Sequence, residues 1–155
     1  MFDDNCDTCK KNEELLARNP GPWSGEPNRV EFTHAGFLCI LHRGNCGAWC
    51  GYVGLPPSHP AYGKGYDDVD VDVHGGLTYA DHCQDHVCHQ DLNDPNDKRY
   101  WLGFDCAHFM DLTPSEVDIA AKYALSPEPL GVYRNLAYAR RETKRLAKRL
   151  AAMVK

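Results

Sequence analysis

The segment YWLGFDC, residues 100–106, is apolar on both faces and predicts a strand in the centre of a sheet. Two more apolar stretches, FLCILH (37–42) and AWCGYVGL (48–55), are joined by a tight turn at Arg43-Gly44-Asn45 and predict two further strands. Residues 68–74 alternate valine with Asp or His, a pattern typical of a half-buried strand with its valines inward. The sequence therefore predicts a mostly antiparallel sheet with strands around 36–43, 48–54, 68–74, 77–80 and 100–106.

Helical patterns flank these strands. TCKKNEELLAR (8–18) predicts a short helix, and Thr113-Pro114-Ser115-Glu116 has the cap, proline and glutamate of a helix that runs to about Leu125. A long helix over about 131–153 has an apolar stripe with a period of about 3.5 residues. This stripe either packs on the sheet of its own domain or mediates contact with a second copy, as a homodimer, or with another partner. Its members are Val132, Leu136, Ala139, Thr143, Leu146, Leu150 and Met153.

With 155 residues the chain is long enough to bury a core of its own, and we predict a single α+β domain over 1–155. Its N-terminal helix and loop occupy 1–29, and the sheet and a metal region occupy 30–112. The helical C-terminal part, 113–155, would cover the sheet.

Charge is divided unevenly along the chain, whose net charge is −5. Residues 133–155 hold eight Lys or Arg and one acid, Glu142, whereas residues 67–97 hold nine aspartates and no Lys or Arg. The negative net charge disfavours direct nucleic-acid binding, although the basic helix could contact phosphate. No run of about 18 apolar residues predicts a membrane span, and the polar start has no apolar signal core. We therefore expect a cytoplasmic protein with no membrane association.

Three cysteines and five histidines lie between His74 and His108. Thiolate and imidazole are ligands that zinc prefers, and a tetrahedral site needs four of them. We therefore predict a bound zinc ion, and which members of the cluster bind it stays open. The candidate ligands are His74, Cys83, Cys88, Cys106 and His108.

A second arrangement uses harder ligands, His74, Asp105, His108 and Asp111. Two histidines and a carboxylate with an open position would form a hydrolytic metal site, and the spare carboxylate, Asp105 or Asp111, would serve as general base. The sequence lacks the helical His-Glu-x-x-His pattern that would strengthen this interpretation.

Two other groups of side chains have open interpretations. Cys6, Cys9, Cys46 and Cys50 could form a second thiolate site, with Cys39 left over. An acidic set would be a solvated surface, a weak calcium or magnesium site, or a contact for a basic partner. Its members are Asp67, Asp68, Asp70 and Asp72.

Several stretches resemble a family of small proteins that phages and prophages encode. They include WCGYVGLPPSHPAYG (49–63) and YRNLAYARRETKRLAKRLA (133–151), and the most specific are HGGLT (74–78) and GFDCAH (103–108). The resemblance spans residues 30–152. It implies phage provenance and the cytoplasm of a bacterial host, with no established enzymatic activity.

Some anti-CRISPR proteins are similar in size, bind zinc and inhibit nucleases by direct binding. By this analogy we interpret the chain as a zinc-binding phage accessory protein that binds a host protein, such as a defence nuclease with a basic nucleic-acid channel. The alternative is the metal-dependent hydrolase that uses the harder ligands.

Overall fold

The structure, a computed structural model, describes residues 7–82, 97–125 and 131–154. A five-stranded antiparallel sheet forms its centre, with the helix of the C-terminal part packed on one face, so the predicted α+β class is confirmed. In space the five strands follow the order first, second, third, fifth, fourth. Their bounds are β1 Arg29–His34, β2 Phe37–Arg43, β3 Trp49–Leu55, β4 Tyr79–His82 and β5 Tyr100–Asp105.

Three helices and a short parallel strand pair complete the described part of the chain. Thr113 caps the second helix through the predicted capping box, with a proline in the first turn. The strand pair joins the end of the turn that follows β5 to the segment before the last helix. The bounds are α1 Asp7–Arg18, β6 Asp111–Leu112, α2 Pro114–Lys122, β7 Val132–Tyr133 and α3 Leu136–Ala152.

The main core lies between the sheet and α3. Ala139, Thr143, Leu146 and Leu150 are fully buried against β2 and β3, which confirms that the apolar stripe packs on the sheet of its own domain. A Cβ on Gly51 would lie 2.3 Å from the Thr143 hydroxyl oxygen, so the glycine allows the helix to approach β3 closely.

A buried ionic network holds the start of α3. The Arg43 guanidinium, on a residue 1% exposed, lies 3.2 Å from the Glu26 carboxylate and donates to the Gly47 carbonyl at 2.7 Å. Glu26 also accepts hydrogen bonds from the Tyr133 hydroxyl and from the backbone N–H of Leu136. The network therefore ties the loop before β1 and the end of β2 to the first turn of α3.

The predicted strand over 68–74 is wrong. Residues Tyr66–Asp68 form a 3₁₀ helix, and the Val71 N–H then donates to the Val69 carbonyl at 3.1 Å, a local turn that a strand cannot make. Val69 and Val73 are nevertheless buried, at 8% and 3% exposed. The alternation of valine and aspartate therefore reflects a coil segment that packs on the core without a ladder partner of its own.

Other boundaries differ from the predicted ones by a few residues. β1 was not predicted, and β4 begins at Tyr79 instead of residue 77. α3 begins at Leu136 instead of about residue 131, because Val132 and Tyr133 pair with β6 and Asn135 then caps the helix. α2 ends at Lys122 instead of Leu125. Within the described ranges, no helix has the length and apolar character that crossing a membrane requires.

Candidate functional site

Two turns meet beside the start of α3. In the first, the Gly76 N–H donates to the Val73 carbonyl, and Gly75 has a φ of +67°. A Cβ on Gly75 would lie 2.2 Å from the ring of His108, which belongs to the second turn. Only glycine permits both this backbone conformation and this close approach.

Asp111 ends the second turn and is the centre of the site. Its Oδ2 accepts hydrogen bonds from His74 Nε2 at 2.7 Å and from the backbone N–H of His108 at 3.1 Å. Its Oδ1 accepts a hydrogen bond from Arg134 Nε at 2.9 Å. Burial alone would raise the pKa of this carboxyl, but the three hydrogen bonds outweigh burial and lower it. Asp111, 3% exposed, is therefore an ionised buried acceptor.

His74 is held at three points. Besides the bond to Asp111, its Nδ1 lies 2.6 Å from the Tyr138 hydroxyl, and its backbone N–H donates to Glu142 at 2.9 Å. A carboxylate can only accept, so Nε2 carries the hydrogen, and in neutral His74 Nδ1 is then left to accept from the Tyr138 O–H. Burial and the nearby Glu142 raise the pKa of Tyr138, so its hydroxyl carries a proton that the imidazole can take.

His108 and Asp105 form the outer side of the site. The His108 ring lies with its centroid 5.8 Å from that of His74. Asp105 Oδ1 lies 3.2 Å from His108 Nε2, but off the direction of a hydrogen bond, and among the described residues this buried nitrogen has no hydrogen-bond partner. The structure thus brings together all four residues of the harder ligand set, His74, Asp105, His108 and Asp111.

The donor atoms of this set are not arranged around a common point. Across residues 7–82, 97–125 and 131–154, no three His, Cys, Asp or Glu side chains are placed to hold one metal ion. Both ring nitrogens of His74 and both oxygens of Asp111 already make hydrogen bonds within the protein. These two residues therefore fit an acid–base relay better than a set of metal ligands.

Of the soft ligand set, Cys83 and Cys88 lie outside the described residues. Cys106 is 1% exposed, and burial, with Asp111 nearby, raises the pKa of its thiol. The zinc prediction is therefore untested and stays a prediction.

The second thiolate set is divided in a similar way. Cys6 lies outside the described residues, and Cys9 is on α1. Burial raises the pKa of Cys46, and it raises the pKa of Cys50 and of Cys39 to about 12. These thiols are protonated at neutral pH, and a metal would have to displace their protons.

The acidic set lies on the surface. Asp67, Asp68 and Asp70 are exposed, and Asp72 lies 3.2 Å from Arg145 and 3.8 Å from Arg149 on α3. Part of the acidic segment is therefore neutralised by the basic helix, through exposed pairs that contribute little to stability.

Three residues of the site, Tyr138, Arg134 and Glu142, were missed by the sequence interpretation. Tyr138 and Glu142 are four residues apart and so share one side of α3. The signal was present in part, because Glu142 is the one acid among the basic residues of 133–155.

Comparisons of the chain with protein-family models, with curated proteins and with solved structures found no match.

Proposed function

We propose that the chain is an enzyme that transfers or hydrolyses an ester through a tyrosine nucleophile, with Tyr138, His74 and Asp111 as its triad. One observation carries the proposal. The Tyr138 hydroxyl lies 2.6 Å from His74 Nδ1, and His74 Nε2 lies 2.7 Å from Asp111. A nucleophile within hydrogen-bond reach of a base, which a third group orients, is the general geometry of nucleophilic catalysis.

Each residue has a distinct task. Tyr138 attacks the electrophilic atom of the ester while its proton passes to His74 Nδ1. The bond to the leaving oxygen breaks, and that oxygen keeps the electron pair and takes the proton from His74. Water then attacks the tyrosyl ester and gives a proton to His74, and Tyr138 leaves with its electron pair and regains that proton. Asp111 fixes the tautomer of His74 and stabilises the imidazolium that forms.

This proposal retains the residues of the predicted hydrolase but changes their roles. Asp111 becomes a positioning residue, because its carboxylate is used by His74, His108 and Arg134. Of the predicted zinc ligands only His74 belongs to the triad, so a zinc ion held by the other candidates, Cys83, Cys88, Cys106 and His108, would be compatible with it.

Hydrolysis of three p-nitrophenyl esters tests the proposal: the acetate, the phosphate monoester and the bis-phosphate diester. We expect at least one to be hydrolysed, and Tyr138→Phe and His74→Gln each to lower kcat by at least about 100-fold, the usual contribution of such groups. Tyr123→Phe is the matched control, because Tyr123 is 64% exposed and outside the site. A Tyr138→Phe variant that is folded and as fast as wild type would contradict the proposal, as would wild type inert towards all three esters.

A second candidate is the predicted role as a binding protein for a host factor such as a defence nuclease. One observation favours it: Phe109 is 94% exposed, the next residue, Met110, is 56% exposed, and Val132, 57% exposed, donates a 2.8 Å backbone hydrogen bond to Met110. An exposed aromatic on a well-anchored turn is typical of binding surfaces. The exposed aspartates Asp67, Asp68 and Asp70 would add charge complementarity to a basic channel.

Inhibition of purified RNA-guided nucleases by the wild-type protein tests this candidate. We expect Phe109→Ser, at a position where the side chain supports no core, to abolish inhibition while its melting temperature stays that of wild type. Equal inhibition by both proteins would exclude the turn as the contact surface.

A further inference from the structure

Two cationic side chains lie against the ring of Tyr138. The guanidinium carbon of Arg134 is 4.8 Å from the ring centroid, and that of Arg141 is 5.8 Å from it. Each is within the distance at which a guanidinium is attracted to an aromatic face. Two positively charged side chains, one just before α3 and one in its first turns, therefore contact the ring of the proposed nucleophile.

Both guanidinium groups retain donors that nothing in the described part of the protein uses. Arg134 donates a hydrogen bond from its Nε to Asp111, while its two terminal nitrogens have no hydrogen-bond partner among the described residues. Its side chain is 28% exposed. Arg141 is exposed and has no ion pair within those residues. The N–H donors of a planar guanidinium group, when no other acceptor uses them, match the geometry of the oxygens of a phosphate group.

The contrast with Arg145 on the same helix supports this interpretation. Arg145 gives its terminal nitrogens to Glu142 at 2.7 Å and to Asp72 at 3.2 Å, so its charge is balanced by the protein itself. Arg134 is balanced by Asp111 on one side only, and Arg141 by no carboxylate that the structure describes. Arg140 has no ion pair among the described residues either, but its guanidinium lies over the ring of Phe32, 5.5 Å from the centroid, so Arg134 and Arg141 are the arginines that contact Tyr138.

We infer that Arg134 and Arg141 form an anion clamp and that the substrates of this site are phosphate esters. This inference rests on the proposed function, because it names the ester class on which the tyrosine acts. Tyr138 Oη would form a bond to phosphorus, the bond from phosphorus to the leaving oxygen would break, and His74 would carry the proton from one oxygen to the other. The guanidinium groups would bind the non-bridging phosphoryl oxygens, whose charge must be stabilised in the transition state.

Calorimetric titration with inorganic phosphate tests the clamp without requiring turnover. We expect wild type to bind phosphate and Arg141→Gln to bind it about fivefold or more weakly, as expected for loss of a charge-assisted contact. Lys148→Gln is the matched control, since it removes one exposed charge from the same helix away from Tyr138, and it should change the affinity by less than about twofold. Absence of phosphate binding by wild type, or an equal loss in both variants, would overturn the inference.

The Tyr138→Phe variant separates the two proposals. It keeps the ring against which the guanidinium groups lie, so phosphate should bind within about twofold of wild type while hydrolysis is lost. If Tyr138→Phe remains active and phosphate still binds as expected, the nucleophile is wrong and the clamp stands. If acetate is hydrolysed in a Tyr138-dependent manner and neither phosphate ester is, the nucleophile stands and the phosphate class is wrong.

Discussion

Two clusters at the start of α3 are built from the same three kinds of side chain, an arginine, a carboxylate and a tyrosine. In the inner cluster, Arg43 and Tyr133 both bind the carboxylate of Glu26. In the outer cluster, Arg134 binds Asp111, but the tyrosine, Tyr138, contacts a histidine placed between it and the carboxylate.

The difference teaches which of the two can perform chemistry. The inner tyrosine donates a hydrogen bond to the Glu26 carboxylate, whose side chain is 14% exposed, and the arginine paired with it is 1% exposed, so this ion pair is largely shielded from solvent. The outer tyrosine faces an imidazole nitrogen that can accept its proton, and its arginines retain donors that no described residue uses. We therefore assign the inner cluster to the stability of the fold, and the outer cluster remains the site that we propose to be catalytic.

The largest effect is expected from breaking the inner cluster. Arg43→Met should lower the free energy of unfolding by about 3–5 kcal/mol, because it leaves the Glu26 carboxylate buried without its cation. Urea denaturation measures this. Arg141→Met, which removes an exposed arginine, is the control and should change stability by less than about 0.5 kcal/mol. Equal, small effects of both substitutions would remove the distinction between the clusters.

The next effect concerns the contact between the turn that contains Gly75 and the turn that contains His108. Gly75→Ala should lower the free energy of unfolding by about 2–4 kcal/mol, because its Cβ would overlap the His108 ring and its φ is positive. Gly36→Ala is a matched control, since Gly36 has a φ of +84° but nothing within 4 Å of the added atom. It should cost only the backbone conformation, about 1 kcal/mol. Equal losses in the two variants would show that His108 does not press on Gly75.

The smallest effect is a pH dependence specific to Asp111. Its pKa in the folded protein is below the ordinary 3.8, so its contribution to stability is complete above that pH and is lost as the pH falls through the folded value. Asp111→Asn should therefore be less stable than wild type by about 1–2 kcal/mol at pH 7. The gap should stay constant to pH 5 and shrink below about pH 4. A gap that is the same at pH 3 would show that the charge of Asp111 does not act through these bonds.

The sequence was sufficient for the parts of the fold that local patterns determine. The hairpin of β2 and β3, the central β5 and the capped start of α2 follow from apolar runs and capping residues. The prediction of a strand over 68–74 was wrong, because the alternation of valine and aspartate indicates that one side of the segment is buried and not that a neighbouring strand pairs with it.

Only part of the outer cluster could be predicted from the sequence. His74, His108 and Asp111 belong to motifs rich in chemical groups, so their residue types drew attention. Tyr138 and Arg134 come from a segment whose pattern indicates only which side of a helix is buried. Which polar residue on the flank of that helix reaches His74 depends on how the helix lies on the sheet, and no local pattern encodes that.

Labelling with a fluorophosphonate, followed by peptide mass mapping, tests the central claim that Tyr138 is an activated nucleophile. Attack by the Tyr138 oxygen on phosphorus would expel fluoride and leave a stable ester on that residue. The account predicts a phosphonylated Tyr138 in wild type, an unmodified Tyr133, and loss of the label in His74→Gln. Labelling of Tyr133 to the same extent, or a label on Tyr138 that persists without His74, would contradict it.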